Sequence, residues 1–181
     1  MKNKYVVTHG DANSVEAQRY ATYCHIDQVR KYTVEPYTVH LQEVVEYLRL
    51  TDLAHNEVAL SAAWLHDVVE DCGVSLGTIT LMFGASVAHH VDILSELLTP
   101  AEGNRKYRKM GQLQRLERSS YITQSIKYAD LLSNWPSIYK HDKNFAAVYR
   151  REALDLVEAM KGGNQLLRRL LRWELLAGGK Y

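Results

Sequence analysis

The eight residues Trp64-Leu65-His66-Asp67-Val68-Val69-Glu70-Asp71 place three carboxylates and an imidazole at the end of a mostly small, apolar run, Glu57 to Ala63, with no Lys or Arg among them. The pattern predicts one buried helix over about Asn56 to Asp71. On such a helix residues three and four apart share a face, so His66 lies beside Glu70, and Asp67 beside Glu70 and Asp71. Burying that group uncompensated costs many kcal/mol or forces protonation. A divalent cation removes the conflict. The competing reading is the polar tip of an ordinary surface helix.

Further ligands weigh against the surface tip. His40 sits one helix upstream, and Asp130 lies far downstream in an otherwise apolar helix. Singly, His40 reads as a structural histidine and Asp130 as a cap or half of an ion pair. Together they give the order H…HD…D, a mixed nitrogen and oxygen set that suits manganese, iron, zinc or magnesium; ligand type alone does not choose among these. The stretch Glu102 to Arg118 carries Arg105, Lys106, Arg108, Lys109, Arg115 and Arg118 against only Glu102 and Glu117. It reads either as a solvated helix or as a cationic wall for an anionic substrate.

The elements that must position these groups are all helical by pattern. A helix is expected from Asp11 to about Val29, capped by Asp11, Asn13 or Ser14, with Val15, Tyr20 and Tyr23 among its apolar positions. Pro36 biases Glu35 away from helical geometry and makes a loop of residues 30–37. A second helix starts near Thr38 and carries His40, Val44, Val45, Tyr47 and Leu48. After the central helix, Ser75 caps a short helix to Phe83, and Ser86 to Leu98 follows with Val87, Val91, Leu94 and Leu98 at helical spacing, until Thr99-Pro100. Thr123 to Leu132 is predicted as a helix ended by a turn at Trp135-Pro136, then come helices over about Asn144 to Met160 and Gln165 to Ala177.

With 181 residues, three prolines and ten glycines, this pattern predicts an all-α bundle in one domain, residues 1–181, with residues 1–10 as an arm outside it. A net charge of +1 argues against nucleic acid or a membrane surface as partner. No run approaches the roughly 18 apolar residues of a membrane span. Cys24 and Cys72 form no CxxC pair, and with no signal-peptide core at the N-terminus the expected location is the cytoplasm. His25, His55, His89, His90 and His141 read as surface or satisfied histidines, Trp64 and Trp173 as core aromatics, Trp135 as packing near the site, and Cys72 as structural.

These motifs resemble the HD-domain superfamily of metal-dependent phosphohydrolases, and within it the hydrolase domain of RelA/SpoT-type alarmone enzymes. The stretch from Arg30-Lys31 through Pro36-Tyr37 to His40 resembles the family's first motif. Leu65 to Asp71 matches the HD motif with its following Glu-Asp pair, and Ile126 to Asn134 matches the late motif. The likeness continues through Tyr149 and Lys161-Gly162-Gly163-Asn164-Gln165, as in the short stand-alone hydrolases, and covers about residues 15–172. Val34, Leu41 and Ser133 depart from the family pattern, and none is a ligand position.

The resemblance implies that His40, His66, Asp67 and Asp130 hold one Mn²⁺, with other divalent ions as substitutes. It implies that Glu70 and Asp71 position and deprotonate the attacking water, that Arg30 and Lys31 pack against the base or its phosphates, and that Asn134 and Ser137 bind the nucleoside. Arg105, Lys106 and Lys109 are our own candidates for the terminal phosphates. The implied activity is removal of the 3′-pyrophosphate of (p)ppGpp, giving GDP or GTP, with a small-molecule nucleotide as partner and no room for a nucleotidyl-transfer domain. The alternatives are the same core acting on another nucleotide (a dNTP triphosphohydrolase, a nucleotidase or an NADPH phosphatase) or a non-catalytic nucleotide-sensing module. Oligomeric state is not set by the sequence.

Overall fold

In the computed structural model, which describes residues 11–96 and 101–177, ten helices pack around a single apolar core. The expected arm at residues 1–10, Leu98 and the Thr99-Pro100 break lie outside the described residues. Helix α3 (Glu57–Leu65) is the centre, because Ala59 to Leu65 are buried on every side. A helix that is apolar all round has no solvent face to offer. It packs against α1 (Ser14–Cys24), α2 (Thr38–Arg49), α6 (Ala85–Leu94) and α8 (Tyr121–His141). Among the described residues no helix is long and apolar enough to cross a membrane.

The first helix is shorter than the pattern predicts. Asn13 caps it, its side chain accepting from the Val15 and Glu16 N–H groups at 3.1 Å each, and it ends at Cys24. Its buried face is Ala17 and Ala21, while Val15 and Tyr23 are exposed. Small residues let α1 lie close on α3, which outweighs the burial that the larger side chains would gain.

The central helix is not one helix. It stops at Leu65 and restarts as α4 (Val68–Cys72), with Asp67 at φ −104°, ψ −6° between the two segments. Gly73, at φ +67°, then ends α4 in the left-handed region that glycine adopts without strain. After α4 come α5 (Leu76–Phe83), capped by Ser75, and α6.

Helix α7 (Arg105–Glu117) begins at an Asn104 cap and leads to α8, which runs 21 residues straight through the expected turn at Trp135-Pro136. Proline removes one N–H and crowds the carbonyl four residues back. Here Leu132, Trp135 and Ile138 are buried around the proline. Packing overrides the local rule. Helices α9 (Lys143–Ala159) and α10 (Gln165–Ala177) close the bundle against α8. Leu167, Leu171 and Leu175 take the inner face of α10, leaving Trp173 half exposed rather than in the core.

Candidate metal centre and its cleft

Three elements converge on one locus: α2 brings His40, the α3–α4 break brings His66 and Asp67, and α8 brings Asp130. On an unbroken helix adjacent side chains diverge by about 100°. The break turns His66 and Asp67 to the same point, with Nε2 and Oδ2 3.0 Å apart. His40 Nε2 lies 3.5 Å from Asp67 Oδ2 and 3.5 Å from Asp130 Oδ1, and His66 Nε2 lies 3.9 Å from Asp130 Oδ1. The donor atoms of His40, His66 and Asp67 all fall within 4.8 Å of one another. Donors about 2.1 Å from a shared cation sit roughly 3–3.5 Å from each other, so the spacing fits one ion.

Hydrogen bonds fix which nitrogen faces that locus. His66 Nδ1 donates to the Ala63 carbonyl at 2.7 Å, which leaves a lone pair on Nε2. His40 Nδ1 lies 2.7 Å from Ser133 Oγ, whose own proton goes to Glu43 Oε2 at 2.6 Å, so His40 donates there and its Nε2 is also a lone pair. Glu43 is held in turn by Arg30 at 2.8 Å. With both rings neutral, two buried lone pairs face each other across 3.3 Å, an arrangement that calls for a cation between them. Without a metal, a proton answers the same need. Burial pushes His66 down, but Asp67 and Asp130 outweigh it and hold the ring up at about 9. Burial likewise works against the charged forms of Asp67 and Asp130. For Asp67 the imidazoles reverse it, and for Asp130 Lys127 does so first and then the imidazoles; both stay below the usual carboxylate range.

Tyr37, set by the Pro36 loop, donates to Asp67 Oδ2 at 2.5 Å. His25 is buried behind it, stacked on the Tyr37 ring at 4.9 Å and bonded to Gln28, which donates to Asp71 Oδ2 at 2.8 Å. His90 is also satisfied, bonded to Thr123, while His55, His89 and His141 are exposed. Trp64 is buried, as expected, and so is Trp135, which packs on Tyr139 and Tyr149.

A cleft of 280 Å³ opens beside the ligand cluster, walled by Glu70, Asp71, Lys127, Asn134, Arg105 and Lys109 among others. Glu70 accepts from the Glu96 N–H at 3.0 Å, and burial raises its carboxyl above the ordinary value. Lys127 Nζ lies 2.6 Å from Asp130 Oδ2; burial opposes its charge, and Asp130, Asp67 and Glu70 more than restore it. Asn134 donates to Asp130 Oδ1 at 2.7 Å. Its neighbour Ser137 joins Lys31 in a smaller cleft of 170 Å³ next to Tyr37, where Lys31 Nζ stands 4.8 Å over the Tyr32 ring.

The basic helix divides on inspection. Arg105 is paired with Glu152 through two bonds, Lys109 with Glu96 at 2.5 Å, and both line the cleft. Lys106 is exposed in an adjoining groove between α7 and α9, which shares Arg105, Lys109 and Glu152 with the cleft, and it does not line the cleft itself. Arg30 is 8 % exposed and occupied by Glu43 and the Ser133 carbonyl, so it braces α2 against α8 rather than standing free for a base or phosphate. Sequence reasoning missed Lys127, Ser133, Glu43 and Tyr37 as parts of the site. Only Lys127 left a signal, its spacing of three from Asp130 on one helix.

Comparison with known proteins agrees with this geometry. A family model described as "HD domain" matches residues 17–120. The chain is 32 % identical over 130 residues to a Drosophila melanogaster protein named guanosine-3′,5′-bis(diphosphate) 3′-pyrophosphohydrolase MESH1, covering 71 % of each. It is 30 % identical over 171 residues to the Mus musculus protein of the same name, covering 89 % of this chain and 92 % of that one. A solved structure described as a metazoan ortholog of SpoT that hydrolyses ppGpp superposes with a TM-score of 0.82 at 28 % identity, over 94 % of this chain and 97 % of its own. The chain belongs to the HD-domain family, in its branch of small MESH1-type proteins.

Proposed function

We propose that this chain is a Mn²⁺-dependent hydrolase that removes the 3′-pyrophosphate of (p)ppGpp-type alarmones, releasing GDP or GTP. The observation that carries it is the pair of buried histidine Nε2 atoms 3.3 Å apart, flanked by two aspartates beside a cleft lined by cations. The named activity of the MESH1 relatives supports the choice of substrate. Free Cys24 and Cys72 suit a reducing compartment such as the cytoplasm.

His40, His66, Asp67 and Asp130 hold the ion. When bound, a divalent cation supplies Lewis acidity that makes water nucleophilic near neutral pH and draws charge from a phosphoryl group. Glu70 takes the water proton, its burial-raised basicity suiting that role. Asp71, steadied by Gln28, orients the same water. The water oxygen adds to the phosphorus that carries the 3′ oxygen, the bond between that phosphorus and the 3′ oxygen breaks, the 3′ oxygen takes up the proton, and pyrophosphate departs. Lys31, Asn134 and Ser137 receive the nucleoside in the smaller cleft, while Arg105 and Lys109 face the distal phosphates.

Product analysis tests this. Purified protein with Mn²⁺ is given ppGpp, pppGpp, ppApp, dATP and NADPH in separate reactions. Pyrophosphate from ppGpp and pppGpp supports the reading. Triphosphate from dATP, or orthophosphate from NADPH, with the alarmones left intact would assign the same core to another nucleotide. No turnover with tight binding would make it a sensor.

A further inference from the structure

Lys127 is the most buried of the cations that line the cleft among the described residues. Its side chain is 15 % exposed and lies against Asp130, itself 8 % exposed, at 2.6 Å. An ammonium has three donors, and among the described residues only Asp130 accepts from it. Lys127, Asp130 and Asn134 follow at i, i+3 and i+7, so one face of α8 presents the cation, a ligand carboxylate and an amide to the same space. That space also holds Asp67 and Glu70. The other cleft cations, on α7, are more exposed, and each is engaged by an acid: Arg105 by Glu152, Lys109 by Glu96.

Phosphoryl transfer spreads negative charge over the oxygens of the moving group, and fixed cations at that point lower the barrier more than they strengthen substrate binding. A wall of carboxylates would otherwise repel the group. We propose that Lys127 is a catalytic residue of this site: its ammonium, fixed by Asp130 on the cleft wall, receives an oxygen of the phosphoryl group under attack. The inference rests on the phosphohydrolase reading above and places the scissile phosphorus over α8 between Glu70 and Asn134. Water adds to that phosphorus, one of its protons passes to Glu70, the P–O bond breaks with its electron pair on the departing 3′ oxygen, Glu70 hands the proton on to that oxygen, and Lys127 stays protonated throughout.

The test compares wild type with Lys127→Met and Lys127→Arg by three measurements: turnover of ppGpp, Mn²⁺ binding without nucleotide, and binding of inorganic pyrophosphate to the Mn²⁺-loaded protein. Lys127→Met should lose about 10²-fold or more in kcat and at least tenfold in pyrophosphate affinity. Its Mn²⁺ affinity should stay within threefold of wild type or rise, since a neighbouring positive charge is gone. Lys127→Arg should recover part of both losses. Mn²⁺ affinity that falls in step with turnover would show Lys127 acting only through Asp130, and pyrophosphate binding equal to wild type would remove the contact; either overturns the proposal. If Lys127→Met does not fold, Lys127→Gln carries the same comparison. A wild type inactive on every alarmone would sink the substrate reading alone, because the pyrophosphate measurement still decides Lys127.

Discussion

Ser133→Ala should weaken metal binding although Ser133 is not a ligand. The hydroxyl accepts from His40 Nδ1 at 2.7 Å and donates to Glu43 at 2.6 Å, and both His40 and Ser133 are buried, at 1 % and 5 % exposed. Glu43 keeps Arg30 at 2.8 Å, so the loss falls on His40 alone. In the metal-free variant His40 can move its proton to Nε2 and escape the cost. To bind a metal it must return the proton to Nδ1, where no acceptor remains. A buried N–H left unpaired costs about 1–3 kcal/mol, which at about 1.4 kcal/mol per tenfold is roughly 5- to 150-fold in affinity. Loss of partners that orient ligand histidines has effects of about 10–100-fold. The assay is Mn²⁺ titration by calorimetry, with the melting temperature recorded with and without ion. The metal-free melting temperature should hardly move, while the rise on adding Mn²⁺ should shrink. An affinity within twofold of wild type would refute the relay through Ser133.

Glu70→Gln should cut kcat by about 10²–10⁴-fold and leave nucleotide binding nearly unchanged, because the amide oxygen can still accept the Glu96 N–H; equal loss of binding and turnover in kinetics and calorimetry would count against a base at this position. Since burial raises Glu70, the wild-type acid limb of kcat against pH should lie above the ordinary carboxylate range, with activity falling as pH drops through it. Gly163→Ala should destabilise by about 1–3 kcal/mol, because a Cβ there would come within 2.6 Å of the Tyr128 ring and 3.1 Å of the Gln124 backbone; urea midpoints would read it. His90 is buried as the neutral ring, its pKa lowered to about 4 by burial. Against an unfolded value of about 6.5, its contribution is complete above that pH and is lost as pH falls from about 6.5 through 4. His90→Gln should therefore flatten the fall in urea midpoint over that interval, and an unchanged slope would assign the loss to other groups.

The meeting of His40, His66, Asp67 and Asp130, the ligands we propose, was readable in the sequence because these are polar residues within apolar stretches, where neither core nor surface has a use for them. The α3–α4 break was not, since residues 57–71 contain no glycine or proline and keep a helical pattern throughout. The break shows only in the structure, where it brings His66 Nε2 and Asp67 Oδ2 to 3.0 Å. The turn expected at Pro136 failed for the converse reason: the local signal was strong, but Leu132, Trp135 and Ile138 around it are buried, and that packing carries the helix through the proline. Trp173 and the face of α1 show that size alone does not decide burial when small residues allow closer contact. The basic helix was visible as charge, but which of its cations meet Glu96 or Glu152 and which faces outward depends on how α7 lies against α6 and α9.

The most direct measurement is anomalous scattering at the manganese edge from crystals grown with Mn²⁺. The account predicts one strong peak about 2.0–2.3 Å from His40 Nε2, His66 Nε2, Asp67 Oδ2 and Asp130 Oδ1 together. Full-occupancy crystals with no peak among these four atoms, or with the manganese bound elsewhere on the molecule, would contradict it.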